Sequence, residues 1–276
     1  MTNFTSRIIS AVVALILFTA IIYYFGQNGI YGVIVFAVAR GSYELARMLF
    51  KNDSALPKYS AYLFVVLNTI TFILLTQEKF RVFSLFIILL NLACNVCYGI
   101  LFHKKFRALE SIFSYISQSA FGCLYIAVIP ACIAWTVYAE QGLTWFFCLL
   151  TVVFAGDIGA YLFGMTLGTV KIAPTLSPKK SVQGAIGGLI FSTLAAYVFS
   201  FYLPHVPLVL LLTCGFFGGL LGQIGDFFES LIKRVAGVKD SGSIMPGHGG
   251  VLDRIDGVLL ASPLFYFAAN YHSLWS

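Results

Sequence analysis

The chain has 276 residues, 59% of them hydrophobic and only 10% charged, with a formal net charge of +6. A soluble domain carries about 25% charged residues, so a water-soluble globular protein is excluded and an integral membrane protein is indicated. The positive balance does not call for a nucleic acid. Basic loops are expected beside anionic headgroups, and no zinc-finger, helix-turn-helix or RNA-binding signature is present.

The apolar runs are long and unbroken, which favours helices over the roughly 10-residue alternating strands of a barrel. Runs able to cross about 30 Å lie near 8–25, 29–48, 60–76, 82–102, 119–139, 143–164, 184–203, 208–232 and 251–271. The first resembles a signal peptide in length, but it lacks a small-residue cleavage site and more apolar sequence follows, so it reads as a retained span. The second and eighth carry charges toward their C-terminal ends, which are expected to emerge from the lipid. The expected fold is an all-α integral membrane protein, a bundle of about nine transmembrane helices with a polar cavity facing the cytoplasm. It reads as one polytopic domain over 1–276. Segment 1–140 is a nearly featureless scaffold that would include any dimer contacts, and 141–276 carries the chemistry.

A cytoplasmic N-terminus places 15 of the 17 Lys and Arg residues inside, leaving only Lys79 and Arg81 outside. The reading is a multi-pass protein of the inner (plasma) membrane, its charged cluster facing the cytoplasm and its C-terminus outside. The six cysteines all lie in apolar runs. Cys94 and Cys97 have metal or redox spacing but no companion pair, so they read as packing. No inverted repeat is visible, which weighs against a transporter.

Toward the C-terminus the composition changes. Residues 225–256 hold five of the eleven acidic residues, Asp226, Glu229, Asp240, Asp253 and Asp256, together with Lys233, Arg234, Lys239, His248 and Arg254. Asp226, Glu229, Ser230 and Lys233 share one helical face, and a polar stripe on an apolar helix points into the bundle or a wet cavity. Asp253 and Asp256 share a face at the start of the last span, where the helix dipole favours acids. Between them Pro246, Gly247, Gly249 and Gly250 exclude helix and let backbone N–H groups approach a ligand. Carboxylates from two helices among several Lys and Arg suit a divalent cation beside phosphate oxygens, and hard oxygen ligands favour Mg²⁺. The plain alternative is a network of salt bridges within and between helices, holding two spans together.

Upstream, Ser177, Pro178, Lys179 and Lys180 precede a helix that Ser181 is placed to cap, a corner suited to phosphate or to anchoring an inner loop. Asp157 lies among glycines in the sixth span and is either functional or a lysine's partner. The pairs Gly184/Gly188, Gly215/Gly219 and Gly218/Gly222 have the spacing of close helix packing.

Taken together, Ser230, Lys233-Arg234, Lys239-Asp240, Pro246 to Gly250 and Asp253-Arg254-Ile255-Asp256, with Gly225-Asp226, the Ser177 to Lys180 segment and the residues around Asp157, resemble the phosphatidate cytidylyltransferases, or CDP-diacylglycerol synthases. The resemblance is sharp over about 150–260. It departs at Gly257, where the family often has Ser, at Met165 and Thr169, often basic, and at Gln183, often Glu. It implies transfer of the cytidylyl group of CTP to phosphatidate, releasing pyrophosphate, in phospholipid biosynthesis. It implies Mg²⁺ on Asp226, Asp253 and Asp256, with a second cation allowed. Lys233 and Arg254 join these as catalytic residues, and His248 contacts a phosphate or orients a carboxylate. Ser177, Lys179, Lys180, Ser230, Arg234, Lys239, Asp240, Gly249 and Gly250 hold the nucleotide and lipid phosphates. A homodimer is suggested by the resemblance alone. The alternatives are a CTP-dependent enzyme acting on another lipid, such as a polyprenol kinase or an archaeal-lipid cytidylyltransferase, and an ion or phosphate transporter.

Overall fold

Backbone polar groups that cannot reach water must be satisfied within their own segment, and this chain does so almost throughout by helix. The computed structural model describes residues 3–50, 57, 59–106, 108–244 and 249–271, with side chains from residue 12 onward. His248, Pro246 and Gly247 lie outside the described residues. The helices are α1 (Asn3–Leu49), α2 (Ser60–Thr76), α3 (Ser84–Leu101), α4 (Leu109–Cys123), α5 (Ile129–Val137), α6 (Gly142–Thr166), α7 (Val182–Phe199), α8 (Leu208–Val235) and α9 (Leu252–Ala269). A π turn, Leu124–Val128, joins α4 to α5. Among the described residues the sheet is one antiparallel hairpin of β1 (Lys171–Ala173) and β2 (Ser177–Ser181).

This is an all-α integral membrane protein. Every apolar run expected to span is helical, yet the count of about nine is not established. Six stretches among the described residues are long and apolar enough to cross a bilayer. The first two expected spans form one helical stretch, broken only at Gly26 (φ 56°, ψ −134°). That left-handed φ is open to glycine at little cost. Helix α2 has 17 residues, and α9 opens on Asp253, Arg254 and Asp256.

The chain divides into two compact units, Met1–Ala134 with Val235–Asp253, and Trp135–Arg234 with Arg254–Ser276. In the first unit, α1 buries Ile30, Ile34, Val38 and Leu45. A polar network lies inside its helices. Asn91 Nδ2 donates to Thr71 Oγ1 (2.8 Å), Asn95 Nδ2 to Asn91 Oδ1 (3.0 Å) and the Tyr115 hydroxyl to Asn95 Oδ1 (2.7 Å). Such bonds join helices where the hydrophobic effect between them is weak. The N-terminal segment is therefore not featureless.

In the second unit, small residues set the helix spacing. A Cβ at Gly159 would stand 2.6 Å from the Gly187 carbonyl oxygen, and one at Gly188 would stand 3.0 Å from that of Gly156. Helices α6 and α7 can therefore close to backbone contact, fixed further by Ser192 Oγ donating to Val152 O at 2.8 Å. Gly215 and Gly219 on α8 meet Ser192 of α7 in the same way. Gly184, Gly188, Gly215, Gly218, Gly219 and Gly222 are all buried, as expected for packing glycines.

Candidate active site

The second unit brings the lysine segment to the charged face of α8. Ser177 to Ser181 forms strand β2 rather than a bare loop. Ser181 caps α7 by accepting a hydrogen bond from Gly184 N at 3.2 Å. From β2, Lys180 Nζ reaches Asp226 Oδ2 of α8 at 2.5 Å and stands 3.9 Å above the Phe227 ring.

Lys179, Lys180, Ser181, Asp157, Gln223 and Asp226 line one cavity of about 440 Å³, whose apolar wall includes Tyr161, Met165 and Phe227. That volume lies within the ~300–1,000 Å³ of small-molecule sites. The walls come from α6, the hairpin, the start of α7 and α8. Gln223 belongs to the floor and donates to Ala185 O at 3.0 Å. The sequence reading passed over it because an amide on a glycine-rich helix looks like ordinary packing.

Asp226 meets Asp256 because their helices cross closely. A Cβ at Gly225 would collide with the Asp256 backbone, and one at Gly257 would stand 3.2 Å from Gly222 O. Glycine at 257, where the resemblance expects Ser, lies within this crossing. Asp157, Asp226 and Asp256 feel one another's charge, opposed by Lys180 and Arg254. Burial in a low dielectric makes such repulsion costly unless cations are near.

The expected stripe on α8 divides its work. Lys233 Nζ donates to Glu229 Oε2 at 2.6 Å, and Glu229 is fully buried. This half is the ion pair that the plain reading anticipated. Ser230 Oγ lies 3.5 Å from Asp226 Oδ1. Arg234 Nε lies 3.4 Å from Leu176 O in the hairpin turn. Ser177 is half-buried and Lys179 and Arg254 are exposed. The departures at 169 and 183 answer each other. Gln183 Nε2 donates to Thr169 Oγ1 at 2.7 Å, and its Oε1 lies 3.2 Å from Thr169 N. Where a basic residue and Glu would form a charged pair, this chain has a neutral one.

In the first unit, Ser241, Gly250 and Leu252, which flank the glycine-rich segment, meet two carboxylates. Asp253 Oδ2 accepts from Gly250 N (2.7 Å), Ser241 Oγ (2.8 Å) and Ser241 N (2.9 Å). Gly249 has φ 82°, and Gly250 is buried. Lys239 and Asp240 are exposed. The second carboxylate is Glu44, toward the end of α1 that was expected to leave the lipid; it is fully buried in the protein and paired with Arg40 at 3.1 Å. The available signal was an acid inside an apolar run.

The sequence profile of the cytidylyltransferase family matches residues 5–272. The phosphatidate cytidylyltransferase of Bacillus subtilis is 43% identical over 130 residues, covering 46% of this chain and 48% of that protein. That of Staphylococcus saprophyticus is 36% identical over 168 residues, covering 60% and 62%. That of Mycobacterium tuberculosis is 36% identical over 152 residues, covering 52% and 44%. The matched stretch thus spans about half the length of these curated relatives. A match over nearly the whole chain, joined to a cavity that gathers lysines against an aspartate, makes this protein a member of the cytidylyltransferase family.

Proposed function

We infer that this protein transfers the cytidylyl group of CTP to phosphatidate, forming CDP-diacylglycerol and pyrophosphate in the membrane. The observation that carries the reading is the cavity in which Lys179 and Lys180 face Asp226. Its relatives are named phosphatidate cytidylyltransferases. In this reaction a phosphatidate oxygen attacks the α-phosphorus of CTP and the bond to the pyrophosphate oxygen breaks. No nucleophile from the protein is needed, so positioning and charge neutralisation supply the catalysis.

Lys179 and Lys180 bind phosphate oxygens, with Lys180 released from Asp226 as the anionic substrate arrives. Arg234 and Arg254 add positive charge, and Tyr161, Met165 and Phe227 present an apolar wall to a nucleoside or an acyl chain. Lys233 acts through Glu229, holding it beside Asp256.

Among the described residues, no three His, Cys, Asp or Glu side chains form a group able to hold a metal. Mg²⁺ commonly uses only one or two carboxylates and leaves its other positions to water and phosphate. Asp226 and Asp256 fit that demand, because they are hard oxygen donors whose mutual repulsion a cation relieves. When bound there, the ion would neutralise phosphate oxygens. Asp253 was expected as a ligand beside Asp226, ahead of Asp256, and its Oδ2 accepts from Ser241 N and Gly250 N. A homodimer, a location in the inner membrane and a cytoplasmic active site belong to the same reading.

The test is product analysis. Purified protein in detergent, given Mg²⁺, phosphatidate and α-labelled CTP, is expected to yield a lipid-extractable cytidine product and pyrophosphate. Release of CDP with a phosphorylated lipid instead indicates a kinase, and no nucleotide consumption sinks the enzymatic reading.

A further inference from the structure

We propose that Glu44 is a positioning residue for this reaction, pinning the base of the glycine-rich segment to α1 and thereby setting the Asp253 carboxylate. The inference rests on the activity read above. Its basis lies in the first unit alone.

Glu44 Oε2 accepts from Leu252 N at 3.0 Å and lies 3.2 Å from Ser241 Oγ. These donors are 208 and 197 residues away in sequence. Leu252 N is the first amide of α9, one of the amides no helical carbonyl can satisfy. An anion there also meets the positive end of the helix dipole. Ser241 is buried and its hydroxyl carries one proton. It stands between Asp253 Oδ2 at 2.8 Å and Glu44 Oε2 at 3.2 Å. Both flanks of the segment, at 241 and at 250–252, thus converge on two carboxylates.

The glycines at those flanks are the space the carboxylates need. A Cβ at Gly242 would stand 2.5 Å from Glu44 Oε1 and 2.9 Å from its Cδ. A Cβ at Gly250 would collide with Glu44 Oε2, and one at Gly249 would stand 2.5 Å from Asp253 Oδ2. Spacing alone suggested that Gly249 and Gly250 let the backbone approach a ligand. Gly250, together with Gly242, approaches Glu44.

Burying a carboxylate costs several kcal/mol unless it is paired and fully hydrogen-bonded. Arg40 and the donors from the segment meet that demand. Plain helix packing does not require a charge here. A carboxylate has two oxygens, enough for Arg40 on one and the flanks of the segment on the other, and so holds Ser241 and Leu252 to one point of α1.

The experiment compares wild type with E44A, E44Q, G242A and the double variant E44A/G242A, measuring kcat, KM for CTP and Tm in detergent. E44A is expected to lower kcat at least tenfold with KM for CTP within threefold. E44Q keeps one acceptor oxygen and is expected to fall between wild type and E44A. G242A is expected to lower kcat tenfold in wild type but less than twofold in E44A, because the colliding carboxylate is gone. A folded E44A with kcat within twofold of wild type overturns the proposal. So does a G242A penalty equal in both backgrounds, or an activity loss that tracks Tm. If E44A does not fold, E44Q decides by the same kcat criterion, with a twofold limit. The coupling between positions 44 and 242 is also read in Tm, which needs no substrate. A wild type that makes no lipid-linked cytidine sinks the activity reading, while the melting data still judge the contact.

Discussion

At the scale of the residue, the Lys180–Asp226 contact separates stability from function. The two side chains are 26% and 38% exposed. Ion pairs that open to solvent contribute roughly 0–1 kcal/mol, so stability alone gives this pair little reason to form. Asp226→Asn is expected to leave Tm in detergent nearly unchanged. Turnover should fall more than a hundredfold, about 2.7 kcal/mol of transition-state stabilisation. Asp256→Asn should behave alike if both carboxylates serve one cation, and raising Mg²⁺ should partly restore either variant. Near wild-type turnover at low Mg²⁺ would remove that residue from the cation site. The Glu229–Lys233 pair differs, because Glu229 is fully buried. Breaking one partner of a buried pair costs about 3–5 kcal/mol. Lys233→Ala is therefore expected to lower Tm as well as activity, and a loss of activity at unchanged Tm would assign Lys233 directly to substrate.

At the scale of the element, the β1–β2 hairpin is the part that composition least suggested. Ser-Pro-Lys-Lys reads as a loop, since Lys and Pro are poor strand formers. Pairing with Lys171–Ala173 makes it a strand, and an edge strand tolerates Pro and Lys. The strand aims Lys180 at α8 while Lys179 stays exposed in the same cavity. Replacing either lysine with Ala is expected to lower kcat/KM more than tenfold, about 1.4 kcal/mol. Expression and membrane orientation should stay normal. A change in orientation without a kinetic change would mean that the pair only anchors an inner loop. Glycines do comparable work on α8. Gly222 and Gly225 admit the α9 backbone, and this crossing lets Asp226 and Asp256 sense each other.

At the scale of the whole molecule, the number of crossings turns on α1. A 47-residue helix is about 70 Å long at ~1.5 Å per residue, more than twice the ~30 Å hydrocarbon core. The break at Gly26 divides it into two pieces, each long enough to cross. With the N-terminus inside, the orientation proposed from the basic residues, two crossings by α1 give an odd total and an outer C-terminus. A C-terminal reporter is then expected to be active only outside the cytoplasm. Activity inside would mean that α1 crosses once.

Composition alone determined the solvent and the class. With 10% charged residues, backbone groups must be satisfied in helices, and every expected span is helical. Spacing alone located Ser181 as a cap and the acids of α8 on one face, because helical periodicity is local. Tertiary structure decided what lies opposite each group. Lys180 faces Asp226, Gln183 faces Thr169, and Glu44 receives a segment some 200 residues downstream. None of these partners is fixed by local pattern. Each depends on how closely two backbones approach, which glycines far apart in the chain permit together.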